Sequence, residues 1–320
     1  MKPLRIAVVC VCLTLCGTLA FTIATGRPPV DRQSVWSIAV TTADSPIDLI
    51  KLSANLSPAI TAADVNDANA RFVADPFVVF HDDHWTMFFE VFNESTGQGD
   101  IGCATSPDGM EWSYQQIVLD EPIHLSYPTV FEHDGEFYMV PETEAADCVR
   151  LYRATSFPHA WEFERTLVTG KDLADPTVFQ HNQRWYMFVG KAGTHDQLRL
   201  FQAVHLLGPW TEHPLSPLIV DDPSQSRPAG QVVDFDGKLF RLAQDCSDRY
   251  GASVQAFEIT RLSEESYEER PEPLSLLTAQ GHRWNSHGMH HLHAFRKPNG
   301  KWLCCVDGHR KQFVWRWNHE

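Results

Sequence analysis

At 320 residues, with 43% hydrophobic residues, 10 Trp and 19 Phe, the chain can bury a substantial core, and this composition argues against extended disorder. Asp and Glu number 41 against 26 Lys and Arg, a net charge of -15 without any Lys/Arg run, so no nucleic-acid partner is expected. Solubility accounts for such acidity, and a pocket lined with carboxylates would add to it.

From the N-terminus, Lys2 and Arg5 precede an uncharged stretch from Ile6 to Thr25, and Arg27 follows it. A stretch of that length can span a bilayer as a helix, and the basic short side should stay cytoplasmic. Residues 1–26 are therefore expected to be a signal anchor, with the rest of the chain on the non-cytoplasmic side. A cleaved signal peptide and a secreted product are the alternative. Residues 27–70 carry Pro28, Pro29, Pro46 and Pro58 with little periodicity, and read as a stem and lead-in. Outside the apolar stretch, Cys103, Cys148, Cys246, Cys304 and Cys305 show no metal spacing and no assignable disulfide.

From residue 71 onward a hairpin recurs: ADPFVVFHDDHWTMFFE from Ala74, SYPTVFEHDGEFYMVPE from Ser126 and ADPTVFQHNQRWYMFVG from Ala174. Weaker copies end at Asp245 and at Gly308. The turns at Asp82, Asp134, Asn182, Asp236 and Asn299 are 52, 48, 54 and 63 residues apart, a period that belongs to propeller blades. An outer pair of strands follows each early hairpin and ends at Trp112, Trp161 and Trp210, Trp residues expected to pack between blades. The expectation for 71–320 is an all-β, five-bladed propeller with about four antiparallel strands per blade, preceded by the apolar helix.

In such a hairpin the first and last residues lie side by side at one end. Asp75 should neighbour Glu90, Tyr127 Glu142, Arg227 Asp245, and the His290/His291 pair Asp307, with Asp175 beside Gly190. Around a common axis these positions form one ring and the expected pocket. Carboxylates that end apolar strands are held by partners or are working. The phrase SHGMHHLHAF leaves room for a divalent cation near His290. Alternating strand positions do not point one way, however, so a wholly protein-made metal site is not expected, and no cofactor is required. The acidic run of blade four reads as a solvated face. Opposed carboxylates point to sugar chemistry or sugar binding.

The phrases FVADPF, FFE with QGDIG, HLSYP with YMVPE, LYRA, GPW, SRP, RLAQDC with YG, and HH with VDG carry a resemblance. In order, over roughly residues 55 to 310, they resemble the N-terminal domain of plant glucosamine inositolphosphorylceramide transferases. More distantly the chain is similar to the five-bladed propellers of glycoside hydrolase family 43. That likeness implies Asp75 as general base, Asp175 as the aspartate that tunes the acid and orients substrate, and the HH pair as the central His. The family's acidic Glu before Gly-Pro is replaced here by Ser226-Arg227-Pro228, leaving Glu90, Glu142 or Asp245 to substitute. The closer likeness implies a carbohydrate-facing propeller working beside a separate glycosyltransferase.

Three readings follow. The first is recognition of a glycan or glycolipid headgroup, with Arg227 meeting an acidic or phosphorylated portion. The second is a glycosidase or transglycosidase with Asp75 as base, Asp175 and Glu142 in catalytic roles, and Glu90, Tyr127, Arg227, Asp245, His290, His291 and Asp307 around the substrate. The third is a scaffold whose pore is closed by salt bridges.

Overall fold

A computed structural model describes residues 30–49, 56–281 and 283–315. The apolar N-terminal segment lies outside the described residues, and among those described no helix is long and apolar enough to cross a membrane. Two compact units are distinguished, Trp36–Arg310 and a second at the chain ends, of which residues 30–35 and 311–315 are described. In the latter, Lys311 Nζ donates to Ser34 Oγ at 2.6 Å.

The repeated hairpins begin with local turn chemistry. Asp82–Asp83, Asn182–Gln183, Asp134–Gly135 and Asp236–Gly237 each place two successive residues at φ between 48° and 81°. Two left-handed residues in a row make the turn whose twist matches paired strands, and Asx and Gly adopt it most readily. The flanking pairs His81/His84, His133/Glu136, His181/Arg184 and Phe235/Lys238 close these two-residue loops.

Five antiparallel sheets follow in chain order. Blade one runs Ala70–His81, His84–Asn93, Gln98–Ser106, Ser113–Leu119. Blade two runs Ser126–His133, Glu136–Glu142, Cys148–Ser156, Ala160–Thr169, and blade three Leu173–His181, Arg184–Lys191, Leu198–Ala203, Thr211–Glu212. In blade four Lys238–Asp245 pairs with both Arg227–Pro228 and Val233–Phe235, then with Ser253–Leu262 and Tyr267–Pro271. Blade five is built from both ends of the described chain: Leu292–Arg296 and Trp302–Trp315 join Val30–Ala43 and Pro58–Ile60. The segment read as stem and lead-in thus contains two strands of the fifth sheet.

Both faces of each inner strand are buried, which is why they read as continuous apolar runs. In His84–Asn93, Met87 and Phe89 face the cluster shared with blade five, containing Ile38, Leu303 and Cys305. Phe88, between them, faces the cluster shared with blade two, containing Phe137 and Met139. Further clusters join blades two and three through Leu151 and Trp185, three and four through Phe188 and Ile259, and four and five through Phe240 and Leu292. Five clusters for five interfaces close the ring. Trp112, Trp161 and Trp210 pack at these interfaces, and each indole N–H donates to a carbonyl three or four residues upstream, at 3.1, 2.9 and 2.8 Å.

One expectation changes in blade four. Glu269, within the acidic run read as a solvated face, is largely buried and holds the fully buried Arg241 by two bonds of 2.8 and 2.6 Å. A buried guanidinium needs such a partner. The five described cysteines are all free thiols.

Candidate active site at the propeller axis

One backbone device places three of the site residues. In blades one, two and three the ladder slips by a residue between Ala74 and Phe77, Ser126 and Thr129, and Ala174 and Thr177. The bulged residues are Asp75, Tyr127 and Asp175, with φ of 55°, 48° and 50°. A bulge re-aims the side chain out of the strand's alternation. The left-handed backbone costs about 1 kcal/mol for a residue with a side chain, and more readily tolerates Asp than a bulky Tyr.

Asp175 is fully engaged. Arg227 Nε donates to its Oδ2 at 2.6 Å and NH2 to its Oδ1 at 3.1 Å, while Gln244 Nε2 adds a third bond at 3.1 Å. Arg227 NH1 meets His195 Nδ1 at 2.9 Å, and its NH2 lies 3.5 Å from Glu142 Oε2. Glu142 Oε2 also accepts from the Asp175 amide at 2.9 Å. Arg227 therefore holds carboxylates of the protein and has no free fork for an acidic ligand. Burial lifts the Asp175 carboxyl to about 7, opposed by the Arg227 charge.

Asp307 organises the other half. It is fully buried and accepts from the Asp75 amide at 3.0 Å, the His290 and His291 amides at 3.2 and 3.1 Å, and His290 Nδ1 at 2.8 Å. Although burial opposes it, the His290 charge and these donors hold Asp307 below its usual range. Burial likewise works against a charged His290, yet Asp307 raises that imidazole. Trp36 stacks on the His290 ring at 3.9 Å between centroids and on His309 at 4.1 Å.

Between these two halves lie the carboxyls without strong partners. Among the described Lys, Arg and His side chains, His291 Nδ1 at 3.6 Å and His290 Nδ1 at 3.9 Å lie nearest to Asp75 Oδ1. Burial, then the neighbouring Asp307 and Asp175, against the His290 charge, push Asp75 up to about 7. Glu90 pairs in register with Ala74, next to Asp75, and its nearest cationic-type nitrogen is His124 Nε2 at 3.6 Å. Burial and the Asp75 charge raise Glu90 well above the usual range. His124 Nδ1 accepts from the Gly99 amide at 2.8 Å, which turns Nε2–H toward Glu90. A Cβ at Gly99 would lie 2.8 Å from Glu90 Oε1 and 2.3 Å from Leu125 O, so only glycine lets these groups meet.

The ring read from hairpin ends is thus largely brought together, with two exceptions. Tyr127 is fully buried, and its hydroxyl bonds Thr177 Oγ1 at 2.8 Å and both the carbonyl and amide of Gly230, at 3.0 and 2.6 Å. It is a bolt between blades rather than a ligand contact. Asp245 Oδ1 caps Ser247, accepting from its amide at 3.0 Å and its hydroxyl at 2.5 Å. Gln244 is the residue paired with Arg227, because blade four lacks the bulge and the register ends one residue earlier. His124, His195, Trp36 and Tyr250 come from loops or from the first described strand, where no hairpin end marks them. Tyr250 is 40% exposed and carries Arg227 over its ring at 5.1 Å, with His290 at its edge.

Asp75, His290 and Asp307 each offer one ligand atom, all within 4.8 Å of one another. His290 Nδ1 already bonds Asp307, however, so the trio fits a His–Asp dyad with a neighbouring acid better than a ligand set.

The chain matches the family described as "Glucosamine inositolphosphorylceramide transferase 1, N-terminal" over residues 29–309. It is 36% identical over 303 residues to Glucosamine inositolphosphorylceramide transferase 1 of Oryza sativa subsp. japonica, covering 88% of this chain and 41% of the relative. The Arabidopsis thaliana protein of that name is 34% identical over 304 residues, with 88% and 40% covered. The chain thus spans about two-fifths of the length of these relatives. Among solved structures it is similar to Zg3597, a family 117 glycoside hydrolase of Zobellia galactanivorans, with TM-score 0.52, 12% identity, and 86% of this chain and 91% of that one covered. It is also similar to 1,3Gal43A, an exo-β-1,3-galactanase from Clostridium thermocellum, with TM-score 0.55, 14% identity, and 67% and 52% covered. The structural likenesses show the fold.

Proposed function

The chain belongs to the glucosamine inositolphosphorylceramide transferase 1 N-terminal family, and from that premise we propose that its propeller recognises the sugar headgroup of a glycan or glycolipid at the axis. The observation that carries this reading is Asp75, held at the axis on a left-handed bulge with no Lys, Arg or His nitrogen nearer than 3.6 Å to its carboxyl among the described residues. A buried carboxyl held without such a donor suits a ligand's hydroxyl or amine. In this proposal residues 1–26 anchor the propeller on the non-cytoplasmic side, where a separate glycosyltransferase acts beside it. A glycan array and glycolipid-bearing liposomes, probed with the wild-type chain and Asp75→Ala, test it. Headgroup binding lost in the variant is expected, and binding that survives unchanged would remove Asp75 from the site.

A second reading is supported by the chemistry of two side chains. Asp75 pushed up to about 7 by burial, beside a Glu90 that burial and the Asp75 charge raise well above the usual range, offers a base and an acid of the kind glycoside cleavage uses. Glu142, bound to the Asp175 amide and beside Arg227, is less free for that role. Turnover of aryl glycosides by the wild type but not by Asp75→Asn or Glu90→Gln would favour processing over binding alone.

A further inference from the structure

At the turn end of the hairpins the blade interfaces are built alike, and one of them is left open. The returning strand of each early hairpin carries an aromatic ring at its second position: Trp85, Phe137 and Trp185. A His from the preceding blade meets the last two edge-on, His81 on Phe137 and His133 on Trp185, at 4.9 Å in both cases. What differs is the residue four positions before the outer Trp of the same blade. Before Trp161 it is Phe157, which stacks on Phe137 at 3.8 Å between centroids and closes the notch. Over Trp85 lies Lys297, its Nζ 5.6 Å from the ring. Before Trp210 it is Leu206, buried but too short to cover the indole, and a cavity of about 520 Å³ remains against Trp185. That volume falls in the range of small-molecule sites.

The groups around this notch want hydrogen bonds. Trp185 is 5% exposed, and its indole N–H has no acceptor among the described residues, whereas those of Trp112, Trp161 and Trp210 all bond carbonyls. Gln180, its cross-strand partner, stands exposed at the mouth beside Gln183. Val204 and Leu207, 56% and 39% exposed, form an apolar lip. A second cavity of about 400 Å³ shares His133, Gln180 and Trp185 and runs on to Gln231. Gln231 Nε2 donates to the Val178 carbonyl at 2.9 Å, and its buried Oε1 has no partner.

A purely apolar ligand would strip water from these amides without replacing its bonds. An anion meets no partner charge, since no Lys or Arg lines either cavity. A cation finds carboxylates only at the exposed rim, at Glu132, Asp134 and Asp234, where water screens them. A neutral sugar ring meets both demands. Its C–H face rests on the indole and the aliphatic lip, while its hydroxyls donate to and accept from the amides and the indole N–H.

We infer that the notch between blades two and three is a second saccharide site, which takes a neutral sugar unit of a glycan against Trp185, Gln180 and Gln231. The strand from Asp175 to His181 separates it from the axial carboxyls by roughly 20 Å, so one sugar cannot reach both. The notch holds another part of a glycan chain or another molecule, and it stands independently of what the axial site binds.

The test is fluorine NMR of the full chain labelled with 5-fluorotryptophan, titrated with maltose, cellobiose and lactose in turn. Trp185→Phe, which installs the residue blade two carries at this position, assigns the Trp185 resonance. At least one disaccharide is expected to move that resonance saturably, and glucose 6-phosphate to bind at least about tenfold more weakly. Gln180→Ala, and Leu206→Phe, which rebuilds the stack of blade two, should each weaken the disaccharide at least about tenfold. Gln180 is exposed, so its variant keeps the fold whatever Leu206→Phe does. Asp75→Ala should leave the Trp185 response in place. Disaccharides that move only the resonance of Trp36, at the axis, would overturn the inference. So would an equal response to glucose 6-phosphate, a response unchanged in Gln180→Ala, or no response at all. A Trp185 resonance that answers a Lys-rich peptide and none of the sugars would overturn it in favour of a protein partner.

Discussion

At the scale of single residues, the two halves of the axial site should answer mutation in opposite directions. Arg227 and Asp175 form a buried pair, so Arg227→Ala leaves Asp175 and Glu142 without their cation and is expected to cost about 3–5 kcal/mol of stability. Asp75 is buried with its acceptors unmatched, and its carboxyl sits at about 7 in the folded state against about 3.9 in an unfolded chain. A raised carboxyl contributes stability that is present below pH about 4 and is lost as pH rises toward 7. Asp75→Asn should therefore stabilise the chain at pH 8 by on the order of 1–3 kcal/mol, with the gain shrinking toward pH 4. Urea denaturation at both pH values measures it. A wild type as stable as the variant at pH 8 would mean that the carboxyl is satisfied in the fold. A residue retained against stability is the pattern expected of a working group.

At the scale of elements, the approach to blade five is tied to blade one by two neutral imidazoles. His293 Nδ1 accepts from the Val78 amide at 2.7 Å, and His291 Nε2 donates to Pro76 O at 3.0 Å. Burial depresses His293 to about 4 and His291 to about 3. A depressed imidazole contributes stability present above about pH 6.5 and lost as pH falls toward the folded value. His293→Gln is then expected to be less stable than the wild type at pH 7.5 by about 1 kcal/mol, and to match or exceed it near pH 4.5. Thermal melts across that range decide it, and a constant difference at all pH values would show that His293 titrates as in the unfolded chain. These elements were unequally legible in the sequence. The hairpins were readable because an Asx turn between two apolar runs fixes both loop and register, and from them Asp75, Glu90, Glu142, Asp175, Arg227, His290 and Asp307 followed as one ring. The bulges were not, because they change backbone geometry without a composition of their own. That is why Tyr127 proves to be a bolt, and why Gln244 stands where Asp245 was expected. His124, Trp36 and Tyr250 reach the site through loops or through pairing of distant segments, which a local pattern does not carry.

At the scale of the whole ring, stability depends on every interface being present, since each sheet buries its two faces only against its two neighbours. The fifth sheet is the one that cannot form locally: Val30–Ala43 lies beside Trp302–Trp315, strands from opposite ends of the described chain. Ile38, fully buried, fills the cluster shared with blade one, and Ala39, equally buried, fills that shared with blade four. A single Ile38→Ala change should cost about 2–5 kcal/mol, whereas losing the strand uncovers both interfaces at once. It also leaves the partner strand Trp302–Trp315 with an unpaired edge, ready for strand addition. A chain truncated to begin at Asp44 is therefore expected to lose its cooperative unfolding transition and bind a hydrophobic dye. A synthetic peptide of residues 30–43 added in trans should restore the transition, with a midpoint that rises with peptide concentration. If the truncated chain unfolds cooperatively at the temperature of the full chain, the four remaining blades carry the fold alone and the first strand closes nothing. If the peptide restores the transition, the axial site is a product of ring closure, because Trp36, stacked on His290, arrives with that strand.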